Sequence, residues 1–172
     1  MDKMPLIALI FQGVPECIVY IALSGTLAGA SLRWPKVVAA GVILAVTMYF
    51  VRSLPLPFGT HTITGVITAW LLVFLFFRTP PLVAATASLL TGTILLSLEI
   101  IIFSLVLTAG FSLREILSRP ALRILIPLPQ LIVMCLLTWA CAKNRISILN
   151  PRPFNPGEEG WEAKTQERER RP

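Results

Sequence analysis

Residues 82–109 read LVAATASLLTGTILLSLEIIIFSLVLTA, and this stretch decides the solvent in which the chain folds. One charged group, Glu99, interrupts its 28 residues. A helix rises ~1.5 Å per residue, so the run is long enough to pass a hydrocarbon core of ~30 Å and should tilt or bend within it. A helix apolar on every side is buried in a large protein or lies in a bilayer. The chain has 172 residues, which is too few to surround such a helix with protein.

The rest of the sequence agrees. Hydrophobic residues make up 55% and charged residues 14%, with a mean hydropathy of +0.77. A water-soluble domain is about a quarter charged. Four more segments have the required apolar character: Leu6–Ala30, Val37–Val51, Ile63–Phe77 and Ile124–Ala142. The expected fold is therefore all-α, a polytopic membrane bundle of about five transmembrane helices spanning residues 1–142. Residues 143–172 hold several prolines and a charge-rich end, and are expected to be a disordered tail.

Proline and basic residues mark the joints. Arg33-Trp34-Pro35-Lys36 and Arg78-Thr79-Pro80-Pro81 read as tight basic turns. Arg52 to Gly59 holds two prolines, and Phe111 to Pro120 carries Arg114, Glu115 and Arg119 as a candidate surface helix. Ala28-Gly29-Ala30 has the small residues of a signal cleavage site, but the preceding segment is long and carries Gln12, Pro15 and Glu16, which argues for a retained span. Gly25 and Gly29 have GxxxG spacing, and Ala84, Ser88 and Gly92 form a second small-residue stripe. Either permits close helix packing or a homodimer.

The net charge of +6 reflects basic residues flanking membrane helices, and the apolar body leaves no basic face for nucleic acid. Three cysteines, Cys17, Cys135 and Cys141, lie in apolar segments and read as packing groups. The one histidine and these thiols make a poor metal set, and no cofactor or nucleotide motif is present. No nucleophile, base and orienting group share a recognisable pattern, so an enzyme is not expected. Six basic residues follow or join the spans on the C-terminal side, against five on the other. This favours a multi-pass cell-membrane protein with its N-terminus outside and its C-terminus cytoplasmic.

Ionisable groups at membrane depth are costly, and each is a functional hypothesis. Glu16 and Glu99 lie about ten residues inside their spans, Gln12 one turn before Glu16, and Gln130 at similar depth in the last span. Alternating helix direction puts these four in the same half of the membrane, with Arg52 and His61 at its surface. The plainer readings stay open beside this one. Glu16 can pair within a proline kink, and Glu99 can hydrogen-bond to a neighbouring helix as a neutral acid. His61 can cap a helix, and Arg52 can snorkel to the interface. Pro15 and Gly13 point to a helix broken near Gln12, of the kind that lines cavities.

Phe11-Gln12-Gly13-Val14-Pro15-Glu16, Leu32-Arg33-Trp34-Pro35-Lys36, the segment Val51-Arg52-Ser53-Leu54-Pro55-Leu56-Pro57-Phe58-Gly59-Thr60-His61-Thr62, Glu99, and Arg123 to Gln130 together resemble one known module. It is the N-terminal membrane input domain of Gram-positive sensor histidine kinases of the quorum-sensing receptor type. The resemblance covers roughly residues 4–142. It implies a signal-sensing membrane domain in which Gln12, Glu16, Arg52, His61, Glu99 and Gln130 occupy shared positions. No kinase segment with its phosphoacceptor histidine and ATP lid is present, so the implied partner is a separate histidine kinase or another membrane protein. The expected function is a sensor-like module that binds a small signal or peptide. A small transporter subunit and a structural assembly module are the alternatives.

Overall fold

The computed structural model describes residues 9–54, 60–108 and 125–148. A π-wound turn (Leu9–Gly13) runs directly into α1 (Val14–Leu27). Then follow α2 (Trp34–Ser53), α3 (Thr60–Phe77), α4 (Pro81–Thr108) and α5 (Leu128–Lys143). No strand occurs among the described residues. The charged tail beyond residue 148 and the candidate surface helix around Arg114 lie outside the described residues.

Leu9–Leu27 and helices α2, α3 and α4 are each long and apolar enough to cross a membrane. Helix α5 is apolar but has 16 residues, or ~24 Å, which is less than a full hydrocarbon core. The outer faces are apolar too: Leu75, Leu82 and Leu105 are 63%, 76% and 63% exposed. The chain is a multi-pass helical membrane protein whose solvent on these faces is lipid.

Four proline positions correct the sequence reading. Pro15, Pro35 and Pro129 stand second in their helices, and Pro81 stands first. A first-turn N–H has no helical partner, so proline loses nothing there and its fixed φ suits the helix. Trp34 to Lys36 therefore belong to α2 rather than to a turn, and Arg52 and Ser53 finish the same helix. Helix α5 starts at Leu128, with prolines at 127 and 129 holding its entry, and Ile124 lies outside the described residues. The first span is not broken at Pro15. Its backbone changes from π to α winding at Gly13–Val14 instead.

The Gly25/Gly29 pair is also reassigned. Gly29 lies beyond α1 with φ at +71°, where it closes the helix end. Gly29 N–H donates to the Thr26 carbonyl at 2.9 Å and Ala30 N–H to the Gly25 carbonyl at 3.0 Å, the Schellman arrangement. Helix α5 ends the same way around Arg145, with Ile146 N–H donating to the Cys141 carbonyl at 2.9 Å. The two ends are joined, since Ile148 N–H donates to the Leu27 carbonyl at 2.8 Å. Lys36 Nζ donates to the Phe76 carbonyl at 3.2 Å and ties the start of α2 to the end of α3 at the same face.

Helix α1 touches each of α2, α3, α4 and α5 and forms the hub of the bundle. Tight packing is confined to the half that holds its C-terminal end. There Tyr20 to Leu27 of α1 are buried against Val37, Ala40 and Leu44 of α2 and Val73 of α3. Ala84, Ala87 and Ser88 of α4 and Met134 of α5 complete this core. Small residues permit the approach: a Cβ at Gly41 would stand 2.6 Å from the Ile18 Cα. Hydroxyls in the spans bond back along their own helices, as Thr91 does to the Ala87 carbonyl at 2.9 Å and Thr138 to the Met134 carbonyl at 2.8 Å. That removes the penalty of an unpaired hydroxyl in an apolar medium.

Candidate functional site

Below this packed half the helices separate. The π turn, the first turns of α1 and α3, the last turns of α2, the second half of α4 and the entry to α5 enclose a cavity of about 790 Å³. Gln12, Glu16, Arg52, His61, Glu99 and Gln130, spread over all five helical segments, line this one space.

Local winding explains how each arrives. Gln12 belongs to the π turn, and Glu16 follows in the first turn of α1. A π turn places residues differently from a continuous α-helix, and such turns recur at functional sites. One α-helical turn on from Glu16 stands Tyr20, which closes the inner end of the cavity. Tyr20 is 6% exposed, and its hydroxyl donates to the Ser88 carbonyl at 2.6 Å. A Cβ at Gly92 would lie 3.0 Å from the same hydroxyl oxygen, so Gly92 provides the space for the ring.

On α2, Leu44, Met48 and Arg52 follow one another at helical spacing along the wall. Arg52 is exposed in the last turn and stands at the mouth. On α3, His61, Gly65 and Val66 face the same space, with Gly65 leaving room for the Met48 sulfur 3.1 Å from where a Cβ would be. On α4 the lining residues are Gly92, Leu95, Leu96, Glu99, Ile102 and Phe103, a stripe with the three-and-four spacing of one helix face. Glu99 is exposed on this stripe, while Gln130 of α5 is only 5% exposed.

Glu16, Arg52 and Glu99, from three different helices, thus border one space. A smaller space of about 10 Å³ adjoins the main cavity between Gln12, Glu16 and Gln130, against Leu128, Leu131 and Met134. It is of the size of a single water, and three polar side chains border it.

Several lining residues carry no polar signal in the sequence. Tyr20, Met48, Gly65 and Gly92 look like ordinary membrane-helix residues, and only their helical spacing from Glu16, Arg52, His61 and Glu99 connects them to the site. Cys17 also lines the cavity, whereas Cys135 faces outward, and all three cysteines are free. No group of three metal-ligating side chains occurs among the described residues. Comparisons of the chain with protein-family models, with curated proteins and with solved structures find no match.

Proposed function

We propose that this protein is a membrane-embedded sensor module that takes up a small signal molecule and relays its presence to a separate protein. One observation carries the reading. Six polar residues from five helical segments converge on a single cavity, in a fold where most hydroxyls of the spans bond back along their own helices. A binding pocket is concave, mostly apolar and furnished with a few convergent polar groups, and this cavity has that character.

The packing suggests a relay. The cavity lies against the N-terminal half of α1, and the other end of α1 is tied to the end of α5 through Leu27 and Ile148. A ligand held between Glu16 and Gln130 touches both helices at one end. Any change in their mutual tilt reaches the joined end and the chain that follows α5. With the C-terminus cytoplasmic, the cavity opens to the outside and the joined ends face the cytoplasm. The resemblance to histidine-kinase input domains supports a kinase as the partner.

Transport is the second reading, favoured by the π turn beside membrane-depth carboxylates. The packed half above Tyr20 favours sensing, since it makes the cavity blind. Affinity capture of the tagged protein from its native membranes tests the choice, with the Glu16→Gln variant captured in parallel. Recovery of a histidine kinase or response regulator supports the sensor. Recovery of a transport ATPase or permease, with substrate uptake lost in Glu16→Gln, overturns it.

A further inference from the structure

The cavity restricts the chemistry of what it can hold. Its charged lining groups among the described residues are Glu16, Glu99 and Arg52. The charges are sorted by depth. Arg52 is the next-to-last residue of α2, at the mouth. Glu99 lies nine residues inside the end of α4 at Thr108, ~13 Å along the helix axis. Glu16 lies seven residues inside Leu9, ~10 Å along its helix.

A charge at that depth is costly until it is paired, so two carboxylates set deeper than the guanidinium favour a cation there and oppose an anion. Gln130 supplies an independent sign of a ligand. Its side chain is 95% buried, lines the cavity and makes no hydrogen bond to another described residue. A buried amide is normally paired. This one has polar atoms that meet the cavity and the water-sized space beside Glu16. The lining also includes the apolar side chains of Met48, Val66, Leu96, Ile102 and Phe103.

We propose that the cavity takes an organic cation with an apolar body, its positive group held between Glu16 and Glu99 and its body against Leu96, Ile102 and Phe103 of α4. The inference rests on the reading of the cavity as a ligand site and names the ligand's chemical class. Gln130 and Gln12 orient the cationic end. Burial of the apolar body supplies affinity, and the charge supplies selection.

The test uses two ions of the same shape and opposite charge, tetraphenylphosphonium and tetraphenylborate. The neutral triphenylphosphine oxide is the third ligand. Binding is measured to the full chain in nanodiscs of zwitterionic lipid, against empty nanodiscs. Saturable binding of the phosphonium and none of the borate is expected, with Glu99→Gln and Glu16→Gln each weakening the phosphonium by ~10-fold or more. The wild-type comparison stands even where a variant fails to fold. Equal or tighter binding of the borate, or phosphonium affinity unchanged in both folded variants, overturns the proposal. If the borate or the oxide binds saturably and Leu96→Trp abolishes it, the cavity remains a ligand site and only the cation assignment falls. If none of the three binds, the cation assignment and the ligand-site reading fall together.

Discussion

Tyr20 of α1 donates its hydroxyl to the carbonyl of Ser88 on α4, 2.6 Å away, at the level where packed core gives way to cavity. On one side of this bond lie Ser24 and Ser88, fully buried, with side-chain oxygens that have no hydrogen-bond partner among the described residues. Close packing of small residues therefore holds the interior of that half together, with hydrogen bonds joining the helix ends. On the other side lie Glu16 and Glu99, set among apolar residues around open space. The bond therefore divides a structural half from a half available for ligand.

Tyr20→Phe keeps the ring that closes the cavity and removes the bond. Interhelical hydrogen bonds in membrane bundles contribute about 1 kcal/mol each, so stability should fall by that amount. Thermal unfolding in detergent measures it. Ligand binding should persist, because the lining keeps its shape. A Tyr20→Phe protein as stable as the wild type would show that the ring packing alone joins α1 to α4.

The two tight glycines should respond differently to an added methyl group. At Gly41 the new Cβ meets the Ile18 backbone, with its Cα at 2.6 Å, and backbone cannot step aside. Gly41→Ala should push α1 and α2 apart and destabilise the bundle by about 1–3 kcal/mol. At Gly65 the nearest neighbour is the flexible end of Met48, with its sulfur at 3.1 Å. Gly65→Ala should be tolerated and should trim the cavity. Equal losses in thermal stability would contradict this assignment of the close approach.

Helix ends give a pair of opposite expectations. Gly29 and Arg145 occupy the same left-handed position after α1 and α5, with φ at +71° and +51°. An L side chain there costs roughly 1–2 kcal/mol. Gly29→Ala should therefore destabilise, while Arg145→Gly relieves strain and should leave stability unchanged or raised. Unfolding midpoints of the two variants, compared with the wild type, check the sign of each.

Much of this architecture is legible in the residues themselves. The spans follow from apolar length, and Gln12, Glu16, Glu99 and Gln130 stand out because lipid tolerates few such groups. Alternating helix direction is enough to place them in one half. What escapes notice has physical causes. Proline reads as a breaker in a one-dimensional scan, yet Pro35 and Pro129 begin helices because a first-turn N–H is spare. Gly25 and Gly29 match a packing motif, yet one is in the helix and the other caps it. Tyr20, Gly92 and Phe103 line the cavity through helical spacing, which carries little signal where nearly every residue is apolar.

Cys17 provides a direct measure of where the cavity opens. It is half-buried and lines the cavity, while Cys135 and Cys141 can be replaced by alanine to leave a single thiol. A membrane-impermeant, positively charged methanethiosulfonate applied to sealed vesicles should reach Cys17 only from the side of Arg52 and His61. In a second protein with Cys17→Ala and Ser31→Cys added, the exposed loop position between α1 and α2 should label only from the other side. The cationic reagent should outpace an anionic analogue of similar size at Cys17 but not at the loop, because only the cavity carries the carboxylates. Labelling of both positions from one side would contradict the crossing of α1. Labelling of Cys17 from both sides would show that the packing around Tyr20 does not seal the cavity, and would favour transport over sensing.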